Sequence, residues 1–270
     1  MWSALRWYAQ VHVLRHPDVF KSHHGVRLRR YPDSQGARSL AYYGAYPSYD
    51  PMKFCERFLR EGDAFLDIGA NIGLFTCLAA AVVGKTGRVD CFEASSKNFA
   101  RLKENIMLND WLHVNAQHLA LGPEEGEISF SADADEIGHV LAMGVMAVAQ
   151  TEKVRVAALD EFFAADDPTY VLGKIDIEGY ELPCLRGALR HLEKMNPPIW
   201  FFEANGSSSR YGISEHELFT YFRSLGFRLG TYDATAHRLD FGAKLWDDVI
   251  AVSAHGAALL AERLPDLEIV

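Results

Sequence analysis

From residue 63 onward the spacing of apolar residues switches back and forth between two patterns. Short β-rich runs read as buried strands, and stretches with apolar residues every three or four positions read as amphipathic helices. The pattern predicts strands over 64–68, 88–92, 114–119, 170–175, 198–202, 227–231 and 248–253. Between them it predicts helices over 74–83, 96–109, 182–192 and 215–225, and a short one over 159–164. Phe99, Leu102, Ile106 and Met107 give the second helix its apolar stripe, and Ser95 or Ser96 supplies an N-cap. Pro183 falls in a first helical turn, where its missing N–H is tolerated. Two further strands, 127–130 and 153–156, flank a small-residue stretch over 132–150. That stretch is long for a structureless loop, so it is read as functional or partly helical.

Strands that alternate with helices mean βαβ units and a parallel sheet. The expected architecture is a doubly wound α/β sheet of seven mostly parallel strands, with an antiparallel hairpin last, around one core. No repeat and no second domain is expected. Residues 61–270 form the main unit, and residues 1–60 an extension or lid that packs on it.

Composition narrows the class. Hydrophobic residues at 49% and charged residues at 23% suit a globular chain with a sizeable core. No apolar run reaches the ~18 residues of a membrane span. The start of the chain is interrupted by Arg6, Gln10 and His12 and lacks the apolar core of a secretory signal. Cys55, Cys77, Cys91 and Cys184 form no C-x-x-C pair and lie inside apolar patterns, which fits buried thiols in a reduced, cytoplasmic setting. The net charge of −9 argues against general nucleic-acid binding. It is uneven: residues 1–60 hold ten Lys/Arg against four Asp/Glu, and the remainder 17 against 32. The basic arm reads first as a solvated helix packed by its Trp2, Leu5, Trp7, Val11 and Leu14 face. Its second reading is a holder for an anionic substrate, a carrier protein or a membrane surface. Self-association is left open.

The strongest local signal is Phe65-Leu66-Asp67-Ile68-Gly69-Ala70-Asn71-Ile72-Gly73, an apolar strand entering a glycine turn that a helix leaves. Such a turn brings backbone N–H groups and a helix N-terminus close to a ligand, at the strand ends where open α/β sheets bind. Its G-x-x-x-G spacing differs from the G-x-G-x-x-G of dinucleotide sites. Asp67, just before the first glycine, would repel a pyrophosphate yet can pair with the ammonium of an amino-acid cofactor. Twenty residues past Gly73, Glu93 ends the second strand, where an acid can accept from both hydroxyls of a ribose.

The stretches FLDIGANIGLF … GRVDCFEASSKNFARLKENIMLN from Phe65 and VLGKIDIEGYELPCLRGA from Val171, with Phe201-Phe202-Glu203 after them, resemble FkbM-type methyltransferases. The resemblance covers roughly residues 60–205. It implies a Rossmann-like class I methyltransferase fold and S-adenosylmethionine as methyl donor. It also implies O-methylation of an alcohol on a small molecule, sugar or glycolipid. Carried over by position, it places Asp67, Gly69, Ala70, Asn71 and Gly73 around the methionine end and Glu93 at the ribose. Ala94 and Ser95 fall beside the adenosine, and His118, Leu119 and Ala120 at the adenine. Relatives commonly carry Pro where this chain has Ala94, and the acid they carry before the first strand is here Asp50.

Lys174-Ile175-Asp176-Ile177-Glu178-Gly179 is where the chemistry is expected. If extended geometry persists, alternation puts Lys174, Asp176 and Glu178 on one side of the fourth strand. Methyl transfer to an alcohol needs in-line positioning and a group to take the hydroxyl proton. Asp176 is the first candidate for base or anchor and also borders the methyl donor. Lys174 would orient it or lower the nucleophile's pKa, and Glu178 and Glu203 would hold substrate hydroxyls. A rival reading makes Asp176, Glu203 and Asn205 an oxygen site for Mg²⁺. It is not favoured, because such carboxylates also suit metal-free hydrogen bonding. His12, His16, His23 and His24 lack metal-ligand spacing. Tyr42, Tyr43, Tyr46 and Tyr49 read equally as lid or core, and Asp133, Asp135 and Glu136 as a solvated loop. The alternatives to a small-molecule or glycan methyltransferase are an NAD-type oxidoreductase and an RNA methyltransferase.

Overall fold

The computed structural model describes residues 18–31, 33–44, 46–131 and 151–270. The hydrophobic arm at 2–14, His12 and His16, and the 132–150 stretch with its acidic cluster therefore lie outside the described residues, as do the side chains of Tyr42 and Tyr43. The described residues open with a hairpin, β1 (Asp18–Lys21) and β2 (Arg27–Arg30), followed by α1 (Gln35–Tyr43) and α2 (Tyr49–Phe58). The winding then starts: β3 (Ala64–Ile68), α3 (Leu74–Val83), β4 (Arg88–Glu93), α4 (Ser96–Met107) and β5 (Val114–His118). A small sheet of β6 (Ala120–Leu121), β7 (Gly126–Ser131) and β8 (Thr151–Ala157) interrupts it. After α5 (Leu159–Phe162) come β9 (Leu172–Ile175), α6 (Glu181–Arg186), α7 (Leu189–Glu193), β10 (Ile199–Ala204) and α8 (Glu215–Ser224). The chain closes with β11 (Arg228–Asp233), β12 (Arg238–Asp240), β13 (Asp247–Val252), α9 (Ala254–Arg263) and β14 (Glu268–Ile269).

The main sheet has the order β14-β12-β11-β13-β10-β9-β3-β4-β5. Strands β5, β4, β3, β9 and β10 are parallel, and β13 runs antiparallel to both β10 and β11. Period-two alternation divides the side chains between two cores. Phe65, Leu172, Ile199 and Phe201 face the layer with Phe54, Phe58, Cys77 and Leu260. Leu66, Ile175, Trp200 and Phe202 face the layer with Leu159, Leu185, Leu218 and Phe222. All four cysteines are buried and unpaired. Among the described residues no helix is long and apolar enough to cross a membrane.

Three expectations are corrected. The sheet has nine strands rather than seven, because β12 and β14 extend its edge beyond β11; β12, α9 and β14 were not foreseen. The strands over 227–231 and 248–253 do pair antiparallel, but β12 stands between them in the chain and makes the tight hairpin with β11. The helix expected over 182–192 breaks at Gly187. There the Gly187 carbonyl accepts from Asp160 N–H at 3.0 Å. The Asp160 carboxylate in return accepts from the N–H groups of Arg190 and His191 at 2.7 and 3.2 Å. Each short helix thus caps the other, and that exchange replaces the continuous turn.

The N-terminal hairpin is tied to the winding by two amides. Asn109 bonds both the N–H and the carbonyl of Arg27, and Asn105 accepts from Arg29 N–H, all at 2.8 Å. Four residues along a helix rise about 6 Å and two along a strand about 6.6 Å, so the amides match the free edge of β2. Asn105 is fully buried, and its Nδ2 also donates to Ile72 O at 2.8 Å. Asn105→Ala should therefore cost about 2–3 kcal/mol, because it leaves the buried Ile72 carbonyl and the part-buried Arg29 N–H unpaired. Denaturant unfolding measures this; a loss below about 0.5 kcal/mol would contradict the anchoring role.

Candidate active site

A cavity of about 480 Å³ opens at the carboxyl ends of β3, β4, β9 and β10. The strand order reverses between β3 and β9, which is the switch point where such sheets bind ligands. Phe92, Glu93, Ala94 and Leu119–Leu121 line one end, Gly69 to Ile72 the floor, and Lys174, Asp176, Glu178 and Glu203 the other end. Ser34, Gly36, Ser39, Pro47 and Ser48, inside the segment expected to be an extension or lid, form a wall whose individual residues the sequence did not single out as cavity lining. Nothing local marks them, since α1 and its flanks reach the cavity only through tertiary packing.

The glycine turn is shaped by what lies behind it. Gly69 has φ 80°, and a Cβ there would stand inside the carbonyl oxygen of Asp176. Only glycine lets the turn rest on the tip of β9. Gly73 serves packing instead: a Cβ would come 2.5 Å from Leu102 Cδ1 on α4. The turn's N–H groups face inward. Those of Gly69 and Ala70 donate to Phe92 O at 3.0 and 2.9 Å, and that of Gly73 to Ala70 O at 2.8 Å. Asn71 N–H donates to Glu93 Oε2 and Ile72 N–H to Asn71 Oδ1, both at 2.7 Å. The expectation that this turn offers N–H groups to a ligand is corrected, because the Phe92 carbonyl takes two, the Glu93 and Asn71 side chains one each, and the loop's own Ala70 carbonyl the fifth.

Glu93 is buried, which raises its pKa to about 7 against the opposing pull of bonds from Ser95 N–H and Asn71 N–H. Lys174 stands beside Asp67 in the β3–β9 register. Its Nζ lies 3.1 Å from Asp176 Oδ2, 3.9 Å from Asp67 Oδ1 and 3.5 Å from Gly69 O. Burial opposes its charge, but Asp176 and Asp67 outweigh that and hold its pKa above the ordinary range. Lys174 is a cation here, not a proton acceptor. Extended geometry ends at Ile175, so simple alternation does not carry Glu178 to the site. Glu178 instead takes a left-handed φ of 57°, followed by Gly179 at 99°, and this turn brings it there. Glu181 holds the turn by accepting from the N–H groups of Ile177 and Gly179 at 3.0 and 3.1 Å.

One carboxylate oxygen each from Asp176, Glu178 and Glu203 lie within 4.8 Å of one another. Burial and then Asp176 raise Glu178 to about 6, and burial with Asp176, Glu178 and Glu181 raises Glu203 to about 8. Such an oxygen set suits Mg²⁺ chemically. The set differs from the one expected, because Asn205 Oδ1 is taken by Ser207 N–H at 3.0 Å and Glu178 stands in its place. Asp248 on β13, across from Glu203, is a further acid that the sequence did not single out; burial first, then Asp247 and Asp176, raise it to about 7.

Of the residues expected at the cofactor, Gly69, Ala70, Asn71, Glu93, Ala94, Leu119, Ala120 and Asp176 line the cavity. Asp67 does not: it is fully buried beneath the turn, where it accepts from Thr76 Oγ1 at 2.6 Å. Ser95 caps α4 by accepting from Asn98 N–H. His118 is exposed, stacked on Phe99 at 5.0 Å and bonded to Ala94 O at 3.0 Å. Tyr46 packs in the core against His23, and Asp50 accepts from Ala234 N–H. His23 and His24 bond Gly44 O and Glu56.

This strand order, with a cavity at the switch point and acids at the tips of β4 and β9, defines a Rossmann-like fold of the class I methyltransferase type. The chain belongs to the methyltransferase FkbM domain family, whose model matches residues 67–229. The hexuronic acid methyltransferase AglP of Haloferax volcanii is 27% identical over 139 residues, 50% of this chain and 54% of that protein. The chain thus spans about half the length of that curated relative. Among solved structures, the methyltransferase FkbM from Methylobacillus flagellatus KT is 17% identical, with a TM-score of 0.49, over 82% of this chain and 56% of its own. A SAM-dependent O-methyltransferase from Thermotoga maritima is 12% identical, with a TM-score of 0.45, over 88% and 78%.

The raised acids set a pH dependence. Glu203 binds its proton more tightly folded, at about 8, than at its ordinary 4.5. Stability from this group is full below 4.5 and drains away as pH rises through 8. Ligand-free protein should therefore lose thermal stability from pH 5 to 8, and Glu203→Gln should flatten that loss. An unchanged slope in the variant would show that Glu203 is not among the groups responsible.

Proposed function

We propose that this protein transfers a methyl group from S-adenosylmethionine to a hydroxyl of a sugar or glycan-type acceptor. The observation that carries this is the inward-turned glycine loop between acids at both ends of the cavity. A dinucleotide pyrophosphate would find no N–H in that loop, whereas hydroxyls and an ammonium are donors that seek acceptors. Glu93, with one oxygen on each of two N–H groups, keeps lone pairs for a ribose diol. Ala94, Leu119 and Ala120 beside it suit an apolar purine face. Gly69 O and the loop above the buried Asp67–Lys174 pair suit the amino-acid end, with Asp176 at its border. S-adenosylmethionine, when bound, supplies a methyl activated on a sulfonium.

The chain's own residues do the rest. Asp176 points into the cavity and holds the acceptor hydroxyl by its proton, which it takes as the oxygen attacks. Lys174 fixes the Asp176 carboxylate from behind. Glu178 and Glu203 hold neighbouring hydroxyls, so the attacking oxygen is aligned rather than merely close. This reading needs no metal. Asp67 acts through Lys174 and the loop. The wall over 34–48 is proposed as the part of the N-terminal extension that covers the cavity. Against an RNA acceptor stands the acidic main body.

The test is titration calorimetry with S-adenosylmethionine, S-adenosylhomocysteine and NAD⁺, with and without Mg²⁺, followed by methyl transfer to glycosides. Binding of the two adenosyl sulfur ligands alone is expected. Asp176→Asn should keep that affinity within a few-fold and lower turnover by roughly 10²–10⁴. Preferential NAD⁺ binding would sink the reading, as would full activity in the variant.

A further inference from the structure

We infer that the acceptor end selects uncharged sugars and rejects acidic ones, and that Asp248, paired with the cavity-lining Glu203, is a specificity residue that backs the carboxylate wall doing this. The inference rests on the sugar-hydroxyl reading above. Asp248 pairs directly with Glu203 across β10 and β13, which puts both side chains on one face of the sheet. Like charges so placed weaken a sheet, and the half-buried Asp248 carboxylate makes no hydrogen bond or ion pair among the described residues. Glu203 Oε2 is likewise buried without a partner. A buried acceptor left this way is satisfied by a donor brought in from outside.

The surrounding charges point the same way. Asp176, Glu178 and Glu203 are gathered within 4.8 Å, and the field of Asp248 reaches Asp176. Among the described residues lining the cavity, Lys174 is the only basic one, and Asp67 and Asp176 already share it. Arg210 touches the field of Glu178 only from an exposed position. Ionised carboxylates accept and do not donate, so above pH 8, past the raised values of Glu203 and Asp248, a neutral ring of hydroxyls meets acceptors on every side. A uronate would bring two more acceptors and a like charge into the same space. Discrimination against it comes from that repulsion, not from shape.

The experiment compares aryl glucosides, galactosides and mannosides with the matching aryl uronides as acceptors at low salt and about pH 9, above the raised values of Glu203 and Asp248, with and without Mg²⁺. The neutral member of the accepted pair should have a kcat/KM at least roughly ten-fold higher, the scale of one like charge at close range. Asp248→Asn and Glu203→Gln should each narrow that ratio by roughly ten-fold. A ratio does not depend on how much of a variant is folded, so partial misfolding cannot imitate the result. Equal or better use of the uronide overturns the inference. So does uronide use that appears only with Mg²⁺, which would make the wall a cation site. If S-adenosylmethionine binds but no glycoside in any pair is methylated, the sugar reading falls and this inference with it. Failure to bind S-adenosylmethionine at all would instead strike at the methyl-donor assignment.

Discussion

The contact of the Gly69 turn with the backbone of Asp176 is the constraint on which the site depends. No side chain fits between them, so the floor of the cavity and the tip of β9 move as one body. Asp176 N–H also bonds Ile68 O at 3.0 Å, which extends the strand pairing to the last residue before the turn. A donor group bound along the loop and an acceptor held by Asp176 therefore share one frame. Reactions that depend on alignment lose rate steeply when such a frame slips by an ångström. Gly69 is thus fixed by the distance between two backbones rather than by flexibility.

Beneath that contact lies a charge arrangement that explains Asp67. A lysine ammonium buried in a sheet would shed its proton unless paired. Asp67 and Asp176 flank Lys174 from the neighbouring strand and from its own, and together they keep it charged. Thr76 and Lys174 leave Asp67 no route to the cavity surface. The acid before the first glycine then works at one remove: it holds the lysine that holds the carboxylate. Removing either partner of such a buried pair costs about 3–5 kcal/mol, so Asp67 bears on folding as much as on ligand.

What the sequence discloses here is what a short stretch can decide. The short β-rich runs Phe65–Ile68 and Val89–Glu93 place the parallel strands, and the family motifs carry Glu93 and Asp176 to the strand tips. Three features escaped because distant parts of the chain decide them. The inward direction of the loop N–H groups depends on the Phe92 carbonyl and on Glu93, some twenty residues on. Glu178 reaches the cavity through a left-handed turn that Glu181 stabilises, so the period-two rule stops short of it. Asp248 comes beside Glu203 only because β13 runs antiparallel to β10, and no local pattern fixes that register. The split of the 182–192 helix has the same origin, in an exchange of caps with Asp160.

The N-terminal segment joins the site by the same logic. Its serines and Pro47 wall the cavity, yet the sheet does not hold them. Asn105 and Asn109 hold the β2 edge in place of a neighbouring strand, and Asn105 also grips Ile72 at the end of the glycine turn. Arg101 adds a charged tie, with its guanidinium 2.8 Å from Asp33. One face of α4 therefore anchors both the floor of the cavity and the wall across from it. Disturbing that face would loosen the two together, whereas the acid cluster, built on β9, β10 and β13, would keep its geometry. The cofactor end and the acceptor end are thus joined rigidly at Gly69 but supported by different parts of the fold.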